Sequence, residues 1–94
     1  MAREFGSDQV AVSQAATATT AGGTQVLAAK NTRTRAVFKN LDTSITIYLG
    51  TGTVSSSTGI PLLAGESIAL HTKGAIKALS ASGTPSLAIV DEYD

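Results

Sequence analysis

The chain has 94 residues and no net charge, seven basic side chains balancing seven acidic ones, which is room for one small domain or a domain with a tail. Without cysteine and with a single histidine, it can build neither a disulfide staple nor a tetrahedral zinc site on its own, and the redox compartment stays undetermined. The neutral balance lacks the Lys and Arg excess that neutralises phosphates, and no apolar run is long enough to span a bilayer, so neither nucleic acid nor membrane is an expected partner.

The start, Met1-Ala2-Arg3-Glu4, lacks the apolar stretch of a secretory leader. Gln9-Val10-Ala11-Val12-Ser13 alternates apolar and polar, a pattern that adds as a strand wherever a sheet edge is offered. Ser13 to Thr24 then holds no charge, no aromatic and nothing larger than Gln. Such a run buries too little apolar area to offset the entropy of ordering it. Residues 1–24 therefore read as an extended N-terminal arm, and residues 25–94 as the folded domain.

From Thr24 onward, short alternating segments are separated by turn signals, the spacing of an all-β sandwich or barrel. Thr24 to Ala29 is the first predicted strand. Arg33 to Asn40 is the second, with Ala36 and Phe38 on one face and Arg33, Arg35, Val37 and Lys39 on the other. Leu41-Asp42-Thr43 reads as a turn, Ile45 to Leu49 as a strand, and Gly50 to Gly59 as a Gly/Ser/Thr loop. Pro61 confines Ile60 to Leu63 to a sheet edge. Ala64-Gly65 turns the chain into a strand from Glu66 to His71, and Lys73-Gly74 resembles a tight hairpin turn. Ala75 to Ser80 and Ser86 to Tyr93 complete the set, joined by the Ser82-to-Pro85 turn. The expected fold is a compact antiparallel sandwich or barrel of six to seven strands.

Candidate chemistry is sparse. Gly50-Thr51-Gly52-Thr53-Val54-Ser55 has the look of a phosphate loop but lacks the Gly-Lys-Ser/Thr ending, and no helix follows it. His71 is alone in titrating near neutrality, yet no nucleophile-elbow motif surrounds any serine, and its place at a strand end points it outward. The carboxylates lack the close spacing of a calcium loop, so a solvated acidic terminus is the default expectation. No catalytic residue, cofactor or metal is expected. Charge placement says more: Lys30, Arg33, Arg35 and Lys39 cluster without an intervening acid, while Asp91, Glu92 and Asp94 make the end acidic. These opposite charges can pair across a subunit contact, pair within the fold, or stay solvated.

Three stretches carry a resemblance: Arg35-Ala36-Val37-Phe38-Lys39-Asn40-Leu41, Ile47-Tyr48-Leu49-Gly50, and Gly59-Ile60-Pro61-Leu62-Leu63-Ala64-Gly65-Glu66-Ser67-Ile68. With Gly74-Ala75-Ile76-Lys77-Ala78-Leu79-Ser80-Ala81-Ser82-Gly83-Thr84, they resemble small β-sandwich virion proteins of tailed bacteriophages, of the head decoration (cement), head-fibre and tail-associated types. The similarity covers about residues 33 to 90, with Lys77 standing where an aromatic is common. It implies a non-enzymatic protein on the capsid exterior that binds the major capsid protein and staples neighbouring copies of it. It also implies a symmetric homo-oligomer, with a trimer favoured. The arm, through Val10, Val12, Ala16 and Thr20, and the basic strand face, through Arg33, Arg35 and Lys39, are the expected contacts. Tail, neck or fibre placement is the alternative. A carbohydrate-binding sandwich is another, though Phe5, Phe38, Tyr48 and Tyr93 are the whole supply of aromatics for a sugar platform.

Overall fold

The computed structural model describes the backbone of residues 9–17 and 23–93, with side chains described over 23–93. Eight strands follow one another as β1 (Gln9–Thr17), β2 (Thr24–Leu27), β3 (Arg33–Asn40), β4 (Ile47–Gly50), β5 (Ile60–Leu62), β6 (Ser67–Leu70), β7 (Ile76–Ser80) and β8 (Ser86–Tyr93). No helix occurs among the described residues. Two four-stranded sheets form, in the orders β1-β8-β3-β6 and β2-β7-β4-β5, and every ladder is antiparallel. The pairs β1·β8, β2·β7, β3·β6 and β4·β5 nest inside one another, so the chain is one long hairpin folded back at the β4–β5 connection. Rolling that hairpin until β3 meets β8 and β4 meets β7 gives the jelly-roll topology.

The all-β sandwich expected from strand spacing is present, and β1 adds a strand to the expected six or seven. The alternating segment beginning at Gln9 finds its sheet edge on β8 of the same chain, Gln9 standing opposite Tyr93 and Thr17 opposite Ser86. Backbone pairing needs no large side chains, which is how so small-residued a segment earns a place in a sheet. Residues 1–8 and 18–22, Thr20 among them, lie outside the described residues.

The core lies between the sheets and follows the period-two alternation of the strands. Ala36 and Phe38 from β3 and Leu87 and Ile89 from β8 meet Ile47 and Leu49 from β4 and Ile76 and Ala78 from β7, all fully buried. Leu27 and Leu62 close its margins, with Val26, Ile68 and Leu70 partly buried against it. Phe38 is the one aromatic in this layer among the described residues, and truncating a buried Phe to Ala costs about 3–5 kcal/mol.

At one end of the sandwich, buried Asn40 ties the sheets together. Its Nδ2 donates to the carbonyls of Ile45 (2.8 Å) and Leu62 (2.9 Å), and its Oδ1 accepts from the Asp42 amide (2.9 Å). The Asp42 carboxylate in turn accepts from the amides of Ser44 (2.9 Å) and Ile45 (2.8 Å). Those amide bonds, Ser44 foremost and then Ile45, hold its pKa below the ordinary 3.8. Gly65, at φ +79°, closes the turn in which the Glu66 amide donates to the Leu63 carbonyl (2.9 Å). That positive φ at the third turn position is what glycine supplies without steric cost.

One turn departs from expectation. Lys73-Gly74 does not close a hairpin, because β6 pairs with β3 in one sheet while β7 pairs with β2 and β4 in the other. The segment crosses between the sheets, the carbonyls of Thr72 and Gly74 held by a side chain from β3 and that of Lys73 by the Lys30 amide.

Candidate functional site

The end of the sandwich opposite Asn40 gathers the start of β3, the ends of β4, β6 and β8, and the crossover between β6 and β7. Its centre is Arg33, which strand parity places on the outer face with Arg35 and Lys39. The structure corrects this: Arg33 is 1% exposed. The β3–β8 register shifts between Arg33 and Arg35, so Arg33 stands opposite Tyr93 and Arg35 opposite Glu92. The extra residue, Thr34, reverses the alternation and turns Arg33 to the side of Ala36 and Phe38, as bulges do.

There all three guanidinium nitrogens are engaged. Its Nε donates to Asp91 Oδ1 (2.8 Å), Nη1 to the carbonyls of Thr72 (3.2 Å) and Gly74 (2.9 Å), and Nη2 to the Ala28 carbonyl. The Lys73 ammonium returns a bond to the Arg33 carbonyl (2.8 Å). Lys30 reaches Asp91 Oδ2 (3.1 Å) while lying 3.5 Å from the centre of the Tyr93 ring. Asp91 is itself 1% exposed, so the expected solvated acidic terminus is corrected at this residue. Parity with Leu87 and Ile89 carries it inward. Of the options left open for the opposite charges, the structure shows pairing within the fold, and the exposed Arg35 also bonds Glu92 (3.0 Å).

The residues expected to touch a partner are therefore not one surface. Arg35 and Lys39 are exposed on the outer face of the β1-β8-β3-β6 sheet, Val37 lies between them, and Arg33 is internal. Val10 and Ala16 lie on β1 opposite Glu92 and Leu87, and Val12 falls in the register shift between Ala11 and Gln14.

Beside the Arg33 cluster, on the flank where edge strands β5 and β6 face each other, lies a cleft of about 440 Å³. Leu49, Ile60 and Leu70 give it apolar walls, and Thr51, Thr53, Thr58, His71 and Thr72 ring it with polar groups. The β4–β5 loop that forms one wall is compact: Ser55 accepts the amides of Thr58 (3.3 Å) and Gly59 (2.9 Å), and Thr58 Oγ1 accepts the Ser55 amide (3.1 Å). Gly59 has no room for a side chain, since a Cβ would sit 2.7 Å from Tyr48 Cβ and 2.9 Å from Val54 Cγ1. His71 is exposed at the strand end as expected, and it borders a second depression lined by Thr34, Arg35 and Glu92. Among the described residues no three His, Cys, Asp or Glu side chains gather as metal ligands would. The cleft was not foreseen. Its walls come from segments that only the β4–β5 and β6–β7 connections bring together, and the one signal in the sequence was the Thr-rich Gly50-to-Gly59 loop.

Fold and site together define a small jelly-roll module with a clasped end and an open flank. No protein-family model matches the chain and no curated protein matches it. Among solved structures it is similar to the stem and receptor-binding domain of the spike protein P1 from bacteriophage PM2, at 17% identity and a TM-score of 0.59. The match covers 88% of this chain and 33% of that one, so it spans about a third of the solved stem and receptor-binding chain. At this identity the likeness is one of fold.

Proposed function

We propose that this chain is a non-enzymatic structural protein of a phage virion, a jelly-roll module on the capsid exterior that binds and staples neighbouring major capsid proteins. The observation that carries the reading is the jelly roll itself. It is a fold that closes a short chain with few large side chains into a rigid block, and it is shared with a module of a phage spike. The resemblance of residues 33 to 90 to small virion proteins points the same way. A domain of this size also gains stability from association.

Cryo-electron microscopy of particles carrying the chain tests the reading. Density at the junctions between major capsid subunits is expected, and density confined to the neck or tail overturns the cement role. A second reading, contact with the host surface, is favoured by the receptor-binding domain in the similar spike protein. It predicts that the purified protein binds host cells and competes with particle adsorption.

A further inference from the structure

The jelly roll has four edge strands, and three of them carry features that discourage further pairing. The ladders of β1 and β2 are broken by register shifts, and β5 contains Pro61. Bulges and prolines are the usual devices that keep an edge from recruiting another strand. The fourth edge, β6, reads Ser67-Ile68-Ala69-Leu70 with neither proline nor charge, and its register with β3 runs without a break from Ala36↔Leu70 to Lys39↔Ser67.

The hydrogen-bond phase of this edge can be worked out. The Asn40 amide donates to the Glu66 carbonyl (2.9 Å), one step beyond Lys39↔Ser67. Antiparallel pairs alternate between bonded and non-bonded, so Phe38/Ile68 and Ala36/Leu70 exchange the bonds to β3. The opposite side of β3 agrees, since the Leu41 amide donates to the Ser86 carbonyl of β8 (3.0 Å). The amides and carbonyls of Ser67 and Ala69 therefore point away from β3, along an edge on which no described strand lies. The same flank holds the cleft, whose walls include Leu70 from this strand and Ile60, 42% exposed, from the facing edge.

We infer that the β6 edge and the adjoining cleft form a docking groove for an extended peptide segment of a partner protein, bound by strand addition. The segment alternates polar and apolar residues and carries one bulky apolar side chain. Its backbone bonds to Ser67 and Ala69, and its inward side chains lie over Ile68 and Leu70. One of them fills the cleft against Leu49, Ile60 and Leu70. Strand addition draws affinity from the main chain and specificity from such a pocket. No Lys, Arg, Asp or Glu lines the cleft, so an uncharged side chain fits and a charged one does not. The inference concerns the chain itself and stands whether the protein sits on a capsid, a tail or neither.

A displayed library of ten-residue linear peptides, selected on the full chain, tests it. The selected peptides are expected to alternate polar and apolar residues around one Phe, Leu or Met, and to shift the amide resonances of residues 67–71. Ala69→Pro removes an amide that β3 does not use, and edge strands tolerate proline there. It should weaken binding at least tenfold while leaving the amide spectrum of the other strands in place. Ile60→Asp, on the cleft wall, should do the same through the pocket alone. Selected peptides without alternation, binding indifferent to both substitutions, or a cleft that takes neutral saccharides and no peptide would each overturn the proposal.

Discussion

The two ends of the sandwich solve one problem with different chemistry. Each must hold chain crossing between the sheets, and each does so with one buried polar side chain from β3. At one end neutral Asn40 bonds the carbonyls of Ile45 and Leu62. At the other, charged Arg33 bonds those of Ala28, Thr72 and Gly74 and then requires Asp91 as counter-ion. The neutral tie asks for nothing beyond its acceptors. The charged tie reaches more chain but buries two ions, whose desolvation is repaid only by complete pairing. Both solutions are complete, for no buried side-chain nitrogen or oxygen among the described residues lacks a partner.

This difference can be broken from either side. Arg33→Met should have the largest effect, destabilising the fold by about 3–5 kcal/mol because Asp91 is left buried without its main partner. Urea denaturation reads the loss, and adding Asp91→Leu should recover only the part due to the orphaned carboxylate, since the carbonyls of Ala28, Thr72 and Gly74 stay without their donor. Asn40→Ala should cost about 2–3 kcal/mol through the carbonyls it leaves unsatisfied, and no second substitution should rescue it as cleanly. Gly59→Ala, in the β4–β5 loop, should cost about 1–3 kcal/mol by overpacking against Tyr48 and Val54, with amide shifts concentrated in residues 51–60. Arg35→Ala removes an ion pair whose Arg side chain is 46% exposed, so under about 1 kcal/mol is expected, fading with added salt.

Acid tests the Asn40 end. The folded pKa of Asp42 is depressed by the Ser44 and Ile45 amides. Its contribution is therefore complete above the ordinary 3.8 and is lost as pH falls below that through the folded value. The protection of the Ser44 and Ile45 amides against hydrogen exchange, relative to the intrinsic rate at each pH, should fall in that range, and Asp42→Ala should show the lowered protection already at neutral pH.

Much of this was legible in the sequence. Alternation and turn residues placed β3 and β8 to the residue, and Pro61 marked β5 as an edge. Asp91 shares the parity of Leu87 and Ile89 but, in an acidic terminus, reads as solvated, whereas the inward position of Asn40 follows its strand's parity and was legible. Arg33 was not, because its parity is reversed by the extra residue at Thr34. Nothing local announces a bulge when the carboxylate that draws the guanidinium inward lies 58 residues away.

The sequence by itself determined the composition limits, the β class and which side chains form the core, because a half-buried strand writes its period of two directly into the chain. It also held the small-residue start and the turn glycines. Only the tertiary structure decided that consecutive strands mostly leave for the opposite sheet, that the charged clusters neutralise each other inside the fold, and that β6 is left with an open edge beside a cleft. Each of these depends on which strands become neighbours, and in a jelly roll that pairing is set by closing the whole roll.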